Sequence, residues 1–77
     1  MITAKEALEI YSENFPIEVS KTLELYNNYI IKFSEMGYRS VSVESGCSSN
    51  VAHRVMEILK QNGFEVSLGD GLIRISW

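Results

Sequence analysis

The spacing of apolar residues divides the 77-residue chain into helical and extended stretches. Thr3 followed by Glu6 predicts a capping box opening a short helix, in which the threonine oxygen accepts from the Glu6 amide and the glutamate reaches back to the Thr3 amide. Ala4, Ala7, Leu8 and Tyr11 then share one helical face. Phe15-Pro16 predicts an interruption, because proline disfavours helix at the residue before it, and a second helix starting with Pro16 in its first turn. In that second helix Val19, Leu23, Tyr26, Ile30 and Phe33 recur at alternating steps of four and three, a coiled-coil-like row. Leu25, Tyr29 and Met36 widen the row toward a second face, more apolar surface than one small sheet covers. Gly37 ends the helix.

Beyond Gly37 the period changes to two. Ser40 to Glu44 alternates, with Val41 and Val43 on one side, and reads as a strand. Ser45-Gly46-Cys47-Ser48-Ser49-Asn50 reads as a loop, with Ser48 or Ser49 as the N-cap of a third helix. That helix buries Val51, Val55, Ile58 and Leu59 and closes at Gly63. Phe64, Val66 and Leu68 alternate along a second strand, Gly69-Asp70-Gly71 makes a tight hairpin turn, and Ile73, Ile75 and Trp77 alternate along a third. The expected fold is α+β: two N-terminal helices, then β-α-β-β, with a three-stranded mixed sheet packed against the helices, in one domain over residues 1–77. The first two strands are expected to be parallel, because a helix crosses between them, and the third antiparallel to the second.

Composition narrows the functional classes. An apolar fraction of 45% with 22% charged residues is that of a folded protein. Ten acidic against seven basic residues give a net charge of −3, which argues against a nucleic-acid binder. The single cysteine, Cys47, excludes an internal disulfide and suits a reducing compartment. No apolar run reaches the ~18 residues of a membrane span, and the N-terminus lacks a secretory pattern. The expected location is therefore cytoplasmic, with no membrane partner. A domain this small gains from subunit contact, so a homo-oligomer is expected, self-associating through the second helix.

Candidate chemistry is sparse. The strand-to-helix loop, with Ser45, Gly46, Ser48, Ser49 and Asn50, places small residues and a helix N-terminus where an anion could be held, and His53 and Arg54 in the next turn could add donors. No P-loop lysine and no G-x-G-x-x-G accompany it, Glu44 would repel a phosphate, and the same residues serve as an ordinary capped turn. Cys47 with His53 would need an orienting third group to act as a nucleophile and base. One histidine and one cysteine are too few for a closed zinc site. Neither catalytic residues nor a cofactor are expected. Glu6, Glu9 and Glu13 form an acidic stripe suited to a basic partner, or to solvent. Leu23, Tyr26, Tyr29, Ile30, Phe33 and Trp77 are the expected interface residues, with Tyr29 and Trp77 the best partner contacts and an edge-capping role the alternative for Trp77.

The opening Thr3-Ala4-Lys5-Glu6-Ala7, the segment Gly37-Tyr38 with Ser40-Val41-Ser42-Val43, and the ending Asn62-Gly63-Phe64-Glu65-Val66 with Leu72-Ile73-Arg74-Ile75-Ser76-Trp77 resemble small bacteriophage accessory proteins. The resemblance spans nearly the whole chain through short pieces. It implies a protein expressed in an infected bacterial cytoplasm that binds a host protein or sequesters a nucleotide signal. Two readings follow: a non-enzymatic module that binds and modulates a protein partner, or an oligomeric sponge for an anionic small ligand at the Ser45–Asn50 loop.

Overall fold

The computed structural model describes all residues, Met1–Trp77. Its elements are α1 (Ala4–Glu35), β1 (Ser40–Glu44), α2 (Ser49–Gln61), β2 (Glu65–Gly69) and β3 (Leu72–Ser76). The α+β class is as expected, and two details differ.

The first is that the two N-terminal helices are one. Residues 4–35 form a continuous 32-residue helix with Pro16 inside it. Proline removes the hydrogen bond to the Ser12 carbonyl, but its fixed φ is itself helical, and Ser12 is exposed to water. A break there would add a second nucleation and another set of unsatisfied helix ends. Local contacts brace the turn: Tyr11 stacks on Phe15 with centroids 5.2 Å apart, and Asn14 Nδ2 donates to the Ile10 carbonyl at 2.8 Å. At the N-terminus Thr3 Oγ1 accepts from the Glu6 amide at 3.2 Å, as the capping box predicts. The Glu6 carboxylate accepts from the Thr3 hydroxyl instead of the Thr3 amide.

Both helices end alike. Gly37 and Gly63 take left-handed φ values of 89° and 90°, and the amides of Tyr38 and Phe64 reach back to Phe33 and Leu59 carbonyls at 2.9 and 3.1 Å. These are the closing bonds of a Schellman turn.

The second difference is the sheet. Its order is β1-β3-β2, and both pairings are antiparallel, so the mixed sheet is replaced by an antiparallel one. β1 and β2 do run in the same direction, but β3 lies between them. The reason is burial. Ile73 and Ile75 are both 0% exposed, and the centre of the sheet is the position that covers a strand on both edges and one face. In register, Ile75 is flanked by Val41 and Val66, and Ile73 by Val43 and Leu68. The other face is polar, with Ser42, Arg74 and Ser67 side by side.

Both helices pack against the apolar face, α1 beside β1 and α2 beside β2. Val51, Ala52, Val55 and Leu59 of α2 and Val19, Tyr26 and Ile30 of α1 complete the core. No α1 residue before Val19 is buried. At ~1.5 Å per residue a helix of 32 residues is ~48 Å long, which accounts for a molecule of 51 × 22 × 20 Å. Phe15 is half-buried on the core and Tyr11 is reached by Asn50, so the first two turns of α1, up to Ile10, extend beyond the body.

A continuous α1 predicts that Pro16→Ala raises helicity and local helix stability by up to ~3 kcal/mol, the cost of an interior proline. Far-UV circular dichroism at 222 nm through a thermal melt measures this. An unchanged signal would mean that the helix is broken at Phe15.

Candidate functional site

Two regions carry the candidate residues: the loop entering α2, and the length of α1. In the loop, most polar groups are already committed to local structure. Ser45 binds the hairpin turn twice, its amide and its hydroxyl each donating to the Gly71 carbonyl at 3.0 Å. The Gly46 amide donates to the Glu44 carbonyl at 3.0 Å. Ser48 is the N-cap of α2, its Oγ accepting from the Val51 amide at 3.4 Å. Asn50 donates from Nδ2 to the Tyr11 hydroxyl at 3.4 Å, tying the start of α2 to α1.

The two residues expected to supply positive donors point elsewhere. His53 Nδ1 lies 2.7 Å from the Ser49 carbonyl of its own helix, so that nitrogen carries the proton. Arg54 pairs with Glu57 at 3.5 Å and lines a cleft between the helices beside Phe15, Pro16 and Val19. Gly46 and Ser48 line a different cleft of about 420 Å³, whose wall includes Cys47, Tyr26, Glu18 and Glu44. Ser49, Asn50 and His53 line neither. The seven residues thus do not converge, and the cleft below the loop presents two carboxylates where an anion would sit. Like charge there opposes the helix dipole.

Cys47 is half-buried against this cleft, and no group of three or more His, Cys, Asp or Glu side chains is placed to hold a metal ion. Beside it, Tyr26 is 3% exposed. Burial raises the Tyr26 phenol above its ordinary value, with the neighbouring Cys47 thiol adding to the effect and Tyr29 last. Desolvation disfavours the phenolate, hence the direction.

The expected interface set divides in two. Tyr26 and Ile30 (8% exposed) belong to the domain's own core. Leu23 is half-buried along the groove between α1 and α2, with Ile58 opposite it. Phe33 is half-buried, edge-on to Tyr38 at 5.7 Å. Trp77 is also half-buried. It packs edge-on to Phe64 at 6.4 Å, and its backbone exchanges bonds with Arg39: amide to carbonyl at 2.9 Å, and Arg39 Nε to the Trp77 carbonyl at 3.1 Å. Tyr29 alone of the set is exposed. The row from Val19 to Phe33 is a coiled-coil row in spacing, but it is spent on the sheet and α2.

What the sequence pattern did not reveal is a second, exposed apolar row on α1. On the side away from the core, Ile10, Ile17 and Ile31 are each about half exposed and interleave with Glu6, Glu13 and Glu24. Their steps of three, four and seven keep them on one side. The helix carries six glutamates against three lysines, while the rest of the chain has four charges of each sign, so the entire net charge of −3 resides on α1. Seven-residue spacing of the isoleucines was the available signal. No family model, curated protein or solved structure matches the chain. No helix is long and apolar enough to cross a membrane.

The Tyr26 phenol gives a pH prediction. A group whose folded pKa is raised above its unfolded value contributes stability that is complete below the unfolded pKa and lost as pH rises through the folded one. Stability is expected to hold up to the ordinary tyrosine value of 10.0 and to fall above it. Tyr26→Phe should flatten that alkaline limb. Urea titrations from pH 8 to 11.5 measure it, and parallel curves for both proteins would exclude Tyr26 as the cause.

Proposed function

We propose that the protein is a non-enzymatic interaction module whose long helix docks on a protein partner and modulates it. The observation that carries this reading is the acidic–isoleucine row on the outer side of α1. Isoleucines left half in water along a helix that bears all the net charge are costly to solvate and serve no internal packing. The fitting partner surface is a groove with an apolar floor and a lysine- or arginine-rich rim, the helix-in-groove mode of recognition. Its opposite charge would speed encounter as well as fix orientation. In keeping with the resemblance to phage accessory proteins, the partner would be a host protein in the bacterial cytoplasm. The loop at Ser45–Asn50 supports the ligand-sponge alternative less, because Glu18 and Glu44 share its cleft.

Affinity capture from bacterial extract, comparing wild type with Ile10→Arg/Ile17→Arg, tests the reading. Both positions are exposed, so the double variant should keep its fold to within ~0.5 kcal/mol per site. The wild type should retain a protein in near-stoichiometric amount and release it at roughly 0.5 M salt. The double variant should lose at least tenfold in retention, as removal of central contacts does. A control, Ser42→Arg on the outer sheet face, should retain the protein. Equal retention by the double variant, or no specifically retained protein, would contradict the proposal.

A further inference from the structure

The flank of α1 between the core row and the acidic row carries a third repeat. Ala4, Tyr11, Glu18, Leu25 and Lys32 follow one another at intervals of seven, and so do Leu8, Phe15, Thr22, Tyr29 and Met36. Together they make an unbroken row of alternating four- and three-residue steps along the helix and onto its C-cap. Seven of the ten positions are apolar. Leu8 is 62% and Met36 59% exposed, and Tyr11, Leu25 and Tyr29 are exposed as well. The body half-covers Phe15 and Thr22 and reaches the Tyr11 hydroxyl through Asn50, and it leaves Ala4, Leu8, Leu25, Tyr29 and Met36 exposed.

We infer that a second copy of this chain covers the row, in an antiparallel pair of α1 helices related by a two-fold axis near Ser20. The argument is self-complementarity. In an antiparallel pair, one heptad series packs against the other, and only one register overlaps the row over its full length. That register sets Ala4 against Met36 of the second copy, Tyr11 against Tyr29, Phe15 against Leu25, and Glu18 against Thr22. Small faces large at the ends, aromatic faces aromatic, and the stem of Lys32 lies along Leu8. The one like-charge approach is Glu18 to its own copy, ~6 Å apart along the axis, and the remaining α1 glutamates lie off this flank.

The bodies also fit. Each is attached to the second half of its own helix, where Val19, Tyr26 and Ile30 are buried. In this register the second half of one helix lies beside the first half of the other, so the two bodies sit at opposite ends and do not collide. The first two turns of each helix, up to Ile10, which lie beyond their own body, gain a neighbour from the partner. Two helix dipoles run head to tail, which favours the pair further. The dimer leaves the acidic–isoleucine row outside, so it does not depend on the functional reading and adds a second copy of that row.

Sedimentation equilibrium and site-directed cross-linking test the inference. The wild type should sediment at twice its chain mass of 8.7 kDa at tens of micromolar. Tyr11→Glu should sediment at the chain mass while keeping the near-ultraviolet signal of Trp77. For the register, Tyr11→Cys and Tyr29→Cys are made separately in a Cys47→Ser background. The two cysteines of a pair of identical variants would lie ~27 Å apart along the axis, so neither variant should form disulfide-linked dimers alone. An oxidised mixture of the two should. A wild type at 8.7 kDa at a hundred micromolar, a dimeric Tyr11→Glu, or cross-linking of either variant alone would overturn the inference.

Discussion

The packing of Ile73 and Ile75 against Val41, Val43, Val66 and Val55 holds the rest of the molecule in place. These two isoleucines have no solvent exposure, and their strand is hydrogen-bonded along both edges. Because they take the centre, the short hairpin must set β2 outside them, and the crossover through α2 must span two strand positions. Two helices then share the one apolar face of a sheet about three strand spacings wide. That face is narrower than two helices side by side, since strands lie ~4.8 Å apart and helices need ~8–10 Å. α1 thus sits beside the β1 edge with its outer flank uncovered.

Length compounds the effect. The body spans about 20 Å in two directions and α1 runs along the 51 Å axis. Only ten residues of the chain are buried, three of them from a helix of 32. An isolated helical segment of a dozen residues is marginal in water, and this one contains a proline near its junction with the body. Both the row proposed for partner docking and the row proposed for self-pairing follow from the same condition: a helix with more apolar surface than its own body can cover.

The small elements were legible because their signals are local. Gly37 and Gly63 mark helix ends, Gly69-Asp70-Gly71 marks the hairpin, and the strands alternate cleanly between valine or isoleucine and serine or charge. Pro16 carries a local signal for a break, but the continuous helix avoids the cost of two extra helix ends. Strand order was out of reach of the pattern, since only the burial of β3 relative to β1 decides it. In α1, apolar rows run side by side at nearly the same spacing, so periodicity could not say which one the sheet takes. Tyr26 and Ile30 went to the core and Tyr29 did not. The loop before α2 illustrates the converse limit. Its residues read as an anion site or as an ordinary capped turn, and only the fold brings Glu18 from a distant part of the chain to its cleft.

The central claim is that the first two turns of α1 are held by contacts outside its own body. Amide hydrogen exchange of residues 7–10, followed from sub-micromolar to hundred-micromolar protein, tests it most directly. The account predicts exchange close to that of an unstructured peptide at high dilution, with protection that grows with concentration while the β3 amides stay constant. Protection of residues 7–10 equal to that of β3 and independent of concentration would contradict it.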